Sequence, residues 1–273
     1  MEPKDRIIVA LDVDRPERAI ELVQQLAPHV GCFKLGLEFM NAMLVRLATY
    51  AWEPSQNDLR ALQRLFVELD DRIFWDGKFM DIPNTVAGAS KPVAGLGIRM
   101  FNVHCLGGSE MMKAALAAAE EMKIISPTGM RPLVIGVTIL TSLDFSDLVE
   151  LGIMKHLDIQ DRDELHQAIR SRTETCVLNL ACLAQEAGLD GVIASPQEIW
   201  PIRKFCQAGF KIVTPGVRPA WAEANDQKRV MTPGEAVKAG ADYLVIGRPI
   251  TKAENPVDAA KRIADEIADS KKG

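Results

Sequence analysis

Short apolar segments alternate with helical segments along the whole chain of 273 residues, and this rhythm limits the folds open to it. We count eight apolar segments, near residues 7–12, 32–36, 72–75, 100–104, 133–140, 191–194, 211–214 and 243–247. Their nearly continuous apolar character is typical of parallel strands that are buried on both faces. A helical segment follows each of them, and eight such units predict an α/β protein with a single (β/α)8 TIM barrel.

A doubly wound parallel sheet is the alternative for a chain with this rhythm. That fold would place a glycine fingerprint after the first strand, and residues 11–15, Leu-Asp-Val-Asp-Arg, contain no glycine. We see no linker that would divide the chain, so we expect one barrel domain over residues 1–273. An extra helical segment near residues 51–71, where leucines recur at helical spacing, interrupts the rhythm before the third strand.

Composition and charge argue against several functional classes. The chain is 48% apolar and has a net charge of -5 with both signs mixed along it, which argues against nucleic-acid binding. No apolar run approaches the ~20 residues that span a bilayer, and the N-terminus leads into a strand without a signal sequence, so we expect no membrane association. The five cysteines, with no C-x-x-C pair, predict neither zinc nor disulfides and favour a reducing cytoplasm.

Charged side chains crowd into the stretch that follows the third apolar segment. Active sites of such barrels lie at the C-terminal ends of the strands. Asp76 and Lys78 are two residues apart, so on a strand they would face the same side there. Pro83 disfavours a helical conformation at the residue before it, so the chain should leave the strand as a loop. Asp81 would lie on that loop and Thr85 near the start of the next helix.

Other strands should add polar residues to the same end of the barrel. Lys34 lies inside the second apolar segment, and we expect its amine at the barrel mouth rather than only extended past apolar neighbours. Asp12 ends the first strand, where capping the next helix is the alternative. Thr141 follows the fifth strand. His104 ends the fourth strand and is more typical of a hydrogen-bonded core residue, so we assign it no role.

The loops after the last two strands predict a phosphate site. Barrels of this kind often bind phosphate there, through backbone N–H groups and a cationic side chain. Arg218 follows the seventh strand, and Gly247 and Arg248 follow the eighth. The guanidinium of Arg248 could hold two phosphate oxygens, and Gln227 could donate a further hydrogen bond from the loop between them.

The string D-x-K-x-x-D-I-P-x-T, which residues 76–85 match, resembles the signature of the orotidine 5'-monophosphate decarboxylase family. Further segments resemble motifs of this family in the family's order, and its bacterial-type members look closest. These segments are residues 10–12, 33–36, 102–104, 137–142, 214–218, 225–227 and 247–251. The resemblance therefore covers most of the chain.

The resemblance implies a reaction and a role for each candidate residue. The reaction is decarboxylation of orotidine 5'-monophosphate to uridine 5'-monophosphate, the last step of de novo UMP synthesis, without metal or cofactor. It would pass through a C6 carbanion that Lys78 stabilises and protonates. By resemblance the roles are Asp12 for the ribose, Lys34, Asp76 and Lys78 for the charged centre, Thr141 for the pyrimidine, and Arg218, Gln227, Gly247 and Arg248 for the phosphate end. Asp81 and Thr85 would enter the site of the other subunit in a homodimer.

Three positions depart from the family's usual pattern without removing a charged residue. They are Gly77 in place of a larger apolar residue, Met80 where His is frequent, and Cys105 where Ala is usual. Two other functions stay open. One is a sugar-phosphate decarboxylase or aldolase-like relative that shares D-x-K-x-x-D and uses a metal ion. The other is a catalytically silent nucleotide-binding barrel, against which the intact lysine and aspartate set argues.

Overall fold

The computed structural model describes residues 1–49, 56–124, 126, 129–222 and 231–270. Eight parallel strands close into a barrel in which each strand pairs with its neighbours in the sequence and the last pairs with the first. The strands are β1 (Ile7–Ala10), β2 (Cys32–Gly36), β3 (Ile73–Phe79), β4 (Met100–His104), β5 (Leu133–Val137), β6 (Gly191–Ile193), β7 (Lys211–Pro215) and β8 (Tyr243–Ile246). The predicted (β/α)8 barrel is confirmed.

Helices surround the barrel, and several begin at the signals that the sequence carries. Pro16 and Pro256 stand in the first turns of their helices, and Asp161 accepts hydrogen bonds from the backbone N–H groups of Asp163 and Glu164 at 2.9 Å each. The helices are α1 (Pro16–Leu26), α2 (Leu37–Thr49), α3 (Gln56–Leu69), α4 (Pro83–Gly95), α5 (Gly108–Met122), α6 (Phe145–Glu150), α7 (Arg162–Glu186), α8 (Ile199–Phe205), α9 (Pro233–Ala239), α10 (Arg248–Thr251) and α11 (Pro256–Asp269). None of the helices in the described ranges is long and apolar enough to cross a membrane.

Apolar side chains form two layers, one inside the barrel and one between the barrel and its helices. The inner layer comes from alternate strand residues and contains Ile8, Cys32, Phe74, Met100, Ile135, Val137, Ile193, Val213 and Tyr243. The outer layer is larger and joins the other strand faces to the helices. Strands that are buried on both faces explain the continuous apolar segments of the sequence.

Helix α3 lies in the segment that interrupts the strand–helix rhythm. Leu65 and Leu69 are fully buried, and the helix packs on α1. The helix predicted from leucine spacing is therefore confirmed over Gln56–Leu69. Residues 50–55 of the segment lie outside the described residues, and its status as an addition to a single barrel domain stays a prediction.

Two strands are shorter than their apolar runs predict. β1 ends at Ala10 although Leu11 is fully buried, and β5 ends at Val137 although Ile139 is nearly so. Hydrophobicity marks burial rather than strand structure, and both side chains are buried beyond the last residue of their strands. The single turn of α10 has too few residues to produce a periodic pattern, so it could not be predicted from residue spacing.

Arginine–aspartate pairs tie together the N-terminal ends of the strands, and we call them the N-terminal belt. They are Arg99–Asp71, Arg131–Asp190 and Arg203–Asp242. Both nitrogens of the Arg131 fork donate to Asp190, at 2.6 and 2.9 Å, and Asp190 also accepts from the backbone N–H of Val134 at 2.8 Å. One carboxylate thus joins the start of β5 to the start of β6.

We expect the belt to stabilise the barrel more than surface ion pairs do. Asp190→Ala removes three hydrogen bonds and leaves a largely buried guanidinium without its main partner, so the free energy of unfolding should fall by about 2–3 kcal/mol. Glu174→Ala is the control, because it removes the more exposed pair with Arg170 and should cost about 0.5 kcal/mol or less. Urea denaturation measures both, and equal losses would contradict the prediction.

Candidate active site

Three adjoining cavities open at the C-terminal ends of the strands. The inner cavity, about 150 Å³, is lined by Lys34, Asp76 and Lys78 on one side and by apolar residues on the other. The middle cavity, about 180 Å³, shares Lys34 with it and adds Asp12. The outer cavity, about 400 Å³, shares Arg218 with the middle one. The site therefore runs from an apolar end to a cationic end.

Alternating charges form a continuous chain across the inner and middle cavities. The Lys34 ammonium lies 3.2 Å from Asp12 Oδ1 and 3.2 Å from Asp76 Oδ2, and Lys78 Nζ lies 2.7 Å from Asp76 Oδ1. Only 6% of Asp76 is exposed. We call these four side chains the charged centre, and their formal charges sum to zero. The structure thus brings together the four residues that the sequence placed at the ends of β1, β2 and β3.

Parallel pairing of β2 with β3 sets the spacing of the charged centre. Gly36 lies opposite Asp76 in the register, and Lys34 lies opposite Phe74. A Cβ atom at Gly36 would stand 2.8 Å from Lys34 Nζ and 3.5 Å from Asp12 Oδ1, so a larger residue would displace the ammonium. Sequence reasoning gave Gly36 no role, although its place two residues after Lys34 on the same strand face was a usable signal.

Strand β3 is irregular where it carries the second lysine. Its pairing with β4 shifts register between Trp75 and Phe79, and Lys78 has a φ of 48°. Simple alternation therefore does not explain why Lys78 and Asp76 meet; the bulge re-aims the lysine. A Cβ at Gly77 would lie 2.7 Å from Phe79 Cε1 and 3.2 Å from Trp75 Cδ1. These aromatic rings occupy the space beside Gly77, which accounts for the small residue there.

Two residues of β4 lie next to the charged centre, although the sequence analysis assigned them no role. Asn102 is fully buried and donates to Asp76 Oδ1 at 2.6 Å, while its own oxygen accepts from the Lys78 backbone N–H at 2.7 Å. Burial, helped by the Lys78 ammonium and opposed by Asp76, lowers the pKa of His104. An amide in an otherwise apolar strand was the available signal for Asn102, because buried amides need partners.

The far wall of the inner cavity is apolar. It consists of Phe74, Val137, Ile139, Leu140, Ile193, Pro215 and Val245, together with the predicted Thr141, which follows β5. A flat uncharged ring fits such a wall, and the adjacent ammonium and carboxylate groups can act on a substituent at its edge.

The cationic end joins the loops after β7 and β8, as predicted. Only 6% of Arg218 is exposed, and Arg248 is the first residue of α10. Both side chains line the middle and outer cavities. Gly247 stands beside the first strand, where an added Cβ would lie 3.9 Å from Asp12 Oδ2. Gln227 lies outside the described residues.

Two predicted site residues do not line any of the three cavities described above. Asp81 is exposed and accepts from the backbone N–H of Ile82 at 2.6 Å, and Thr85 is exposed in the first turn of α4. Neither lines the inner or the middle cavity. Met80 and Ile82, which flank Asp81, are 55% and 66% exposed.

Fold and site together define a (β/α)8-barrel enzyme whose candidate reactive groups are lysine and aspartate side chains. Residues 5–263 match the family described as Orotidine 5'-phosphate decarboxylase / HUMPS family. Relatives named orotidine 5'-phosphate decarboxylase include those of Moorella thermoacetica, 47% identical over 98% of this chain and 94% of that protein, and Syntrophomonas wolfei, 43% identical over 98% and 99%. The crystal structure of orotidine 5'-phosphate decarboxylase from Lactobacillus acidophilus has a TM-score of 0.72 and 31% identity, over 96% of this chain and 98% of that one. The chain belongs to the orotidine 5'-phosphate decarboxylase / HUMPS family, so the resemblance seen in the sequence is confirmed.

The half-buried position of His104 predicts a loss of stability in acid. Its pKa in the folded protein lies below the ordinary value of 6.5, so the unfolded chain binds the proton more readily. The free energy of unfolding should therefore fall as the pH drops below about 6.5, and the contribution is fully present above that pH. His104→Gln cannot take up a proton, so it should lose less stability than wild type between about pH 7 and pH 5.

Urea denaturation at the two pH values measures this difference. His166→Gln, which replaces an exposed side chain on α7, is the matched control and should behave as wild type does. The prediction is wrong if His104→Gln loses as much stability as wild type over this range.

Proposed function

We propose that the protein decarboxylates orotidine 5'-monophosphate to uridine 5'-monophosphate, the last step of de novo UMP synthesis, as one barrel spanning residues 1–273. The observation that carries the proposal is the order of the three cavities. A charged centre against an apolar wall suits a pyrimidine with a carboxylate at its edge. The middle cavity with Asp12 suits a ribose, and the arginine-lined end suits a phosphate. Family membership supports the same substrate.

The reaction needs a place for a pair of electrons. When the bond between C6 and the carboxyl group breaks, CO₂ leaves and the electron pair stays on C6 as a vinyl carbanion, with no adjacent carbonyl well placed to delocalise it. The Lys78 ammonium beside C6 stabilises the carbanion and then transfers a proton to it, and solvent reprotonates the amine. The product is the nucleotide with hydrogen at C6.

Asp76 has two roles in this scheme. Its carboxylate holds the ammonium of Lys78 at 2.7 Å in the free protein, and it lies beside the substrate carboxylate, which it disfavours until CO₂ has left. Lys34 holds the other oxygen of Asp76, so the arrangement exists before substrate binds. Charges fixed by folding stabilise a transition state without reorganising during the reaction.

The phosphate is remote from the bond that breaks, yet its binding contributes to the rate. Arg218 and Arg248 hold it through charge-assisted hydrogen bonds, with Gln227 as a further donor and Gly247 at the same end of the site. Binding energy from this end fixes the base in the inner cavity against the charged centre. The interactions with the phosphate thereby orient the reacting bond. Asp12 orients the ribose between the two ends, and Thr141 borders the pyrimidine.

We also propose a homodimer with shared sites, in which Asp81 and Thr85 act in the partner's site. Their exposure, and the exposed apolar side chains of Met80 and Ile82 around them, support this proposal. Leu106 is also exposed, just after β4, so the rim next to β3 carries apolar surface that a second copy would cover. Asp81 would then add a fifth charge beside Lys78.

An assay that monitors the loss of orotidine 5'-monophosphate through its ultraviolet absorbance tests the function directly. Wild type should turn it over, also after exhaustive treatment with EDTA. Lys78→Ala should lower kcat by more than the ~10²–10⁴ of a general acid, because the electrostatic stabilisation goes with the proton donor. Lys261→Ala, on the exposed face of α11, is the matched control and should be fully active.

Three outcomes would contradict the proposal. Folded wild type without turnover rules out the substrate, and near-normal turnover by Lys78→Ala rules out the proton donor. Activity that disappears with EDTA and returns with Mg²⁺ points to the metal-dependent sugar-phosphate relatives.

Subunit exchange between two inactive variants tests the shared site. Lys78→Ala and Asp81→Ala proteins are mixed and allowed to exchange subunits. A mixed dimer then has one site with both defects and one intact site. Random pairing makes half the dimers mixed, so activity should recover to about a quarter of wild type. If exchange is verified by mass and nothing is restored, Asp81 acts within its own chain.

A further inference from the structure

Asn102 occupies a place in the site for which the proposed reaction gives no reason. It lies in β4, it is fully buried, and both ends of its amide are used. Nδ2 donates to Asp76 Oδ1 at 2.6 Å, and Oδ1 accepts from the backbone N–H of Lys78 at 2.7 Å. One neutral side chain therefore links the two residues on which the chemistry depends.

The backbone of Lys78 explains why this link is needed. Lys78 has a φ of 48°, a left-handed conformation that a non-glycine residue keeps only where surrounding contacts hold it. The strand pairing is shifted between Trp75 and Phe79, and the N–H of Lys78 bonds to a side chain of the neighbouring strand instead of to that strand's backbone. The oxygen of Asn102 receives this N–H and holds the bulge in place.

The orientation of the amide follows from the same contact. A backbone N–H must meet the oxygen of the amide, so the nitrogen of Asn102 must point at Asp76. Asp76 Oδ1 then receives two donors, Lys78 Nζ and Asn102 Nδ2, and its position is fixed from two strands. Because Asn102 carries no charge, it adds a donor and leaves the zero net charge of the charged centre unchanged.

We infer that Asn102 is a positioning residue for the decarboxylation, which sets the Lys78 ammonium against Asp76 through one amide. The inference rests on the proposed function, because it assigns Asn102 to the same chemical step. The inference differs from a role in folding alone, because it predicts that kcat depends on the hydrogen bond that Asn102 Nδ2 donates to Asp76.

Asn102→Asp tests the donor with almost no change of shape. The new side chain can still accept from the Lys78 N–H, but it places a second carboxylate beside Asp76. At about pH 8 kcat should fall by about 10²–10³-fold, and KM should change by less than about threefold, because the phosphate end is untouched. As the pH falls, the introduced carboxyl takes up a proton beside Asp76 and can donate again, so activity relative to wild type should rise.

Asn179→Asp is the matched control, because it makes the same change on the exposed face of α7 and should match wild type at every pH. A folded Asn102→Asp within about threefold of wild-type kcat overturns the inference. A loss that stays constant with pH also overturns it, because that result fits a packing defect alone. If Asn102→Asp does not fold, Asn102→Ser decides, with reduced kcat expected and normal kcat overturning the inference.

The failure of the proposed function would be visible separately. Wild type is assayed first, and if it does not turn over orotidine 5'-monophosphate, that proposal falls by itself. The position of Lys78 is then read from the NMR signal of its labelled ammonium group, assigned by its absence in Lys78→Ala. That signal should shift in Asn102→Ser and not in Asn179→Asp, and an unshifted signal in Asn102→Ser overturns the inference.

Discussion

The mouth of the barrel is arranged around one buried carboxylate, that of Asp76. A charge removed from water costs several kcal/mol unless ionic and hydrogen-bonding partners surround it. Lys34, Lys78 and Asn102 are those partners, and they come from three neighbouring strands. No single strand could supply them, because each carries only a few inward residues near its end. Neighbouring parallel strands are therefore the condition for burying the Asp76 carboxylate with its partners.

The barrel also holds its candidate reactive groups in positions that a free chain would avoid. Lys78 keeps a left-handed backbone, and Lys34 stands in a gap that a side chain at Gly36 would close. These conformations are stabilised by the surrounding structure, as strained residues at functional sites generally are. The electrostatic field that meets the substrate is then a property of the folded protein, set before any ligand arrives.

The sequence predicted the frame of this protein well and its local geometry less well. The eight buried strands, with the lysines and aspartates at their ends, could be predicted directly. Residue type alone indicates which segments are buried and which residues of a strand share a face. The bulge at Lys78, the space at Gly36 and the link through Asn102 could not, because they depend on contacts between strands far apart in the chain. That Asp81 would lie away from the cavities of its own chain was expected only through family resemblance, because residue periodicity carries no information about a second subunit.

The two ends of the barrel have different roles, one in stability and one in the candidate site. The N-terminal belt, with pairs such as Arg131–Asp190, joins the starts of the strands, while Asp76 and its partners stand at the opposite end. Because the belt lies at the end opposite the site, the loops around the site can vary in sequence while the belt stays intact. Exchange of these loops can change which substrates such a barrel accepts, whereas Lys34, Asp76 and Asn102 stand on strands and stay with the scaffold.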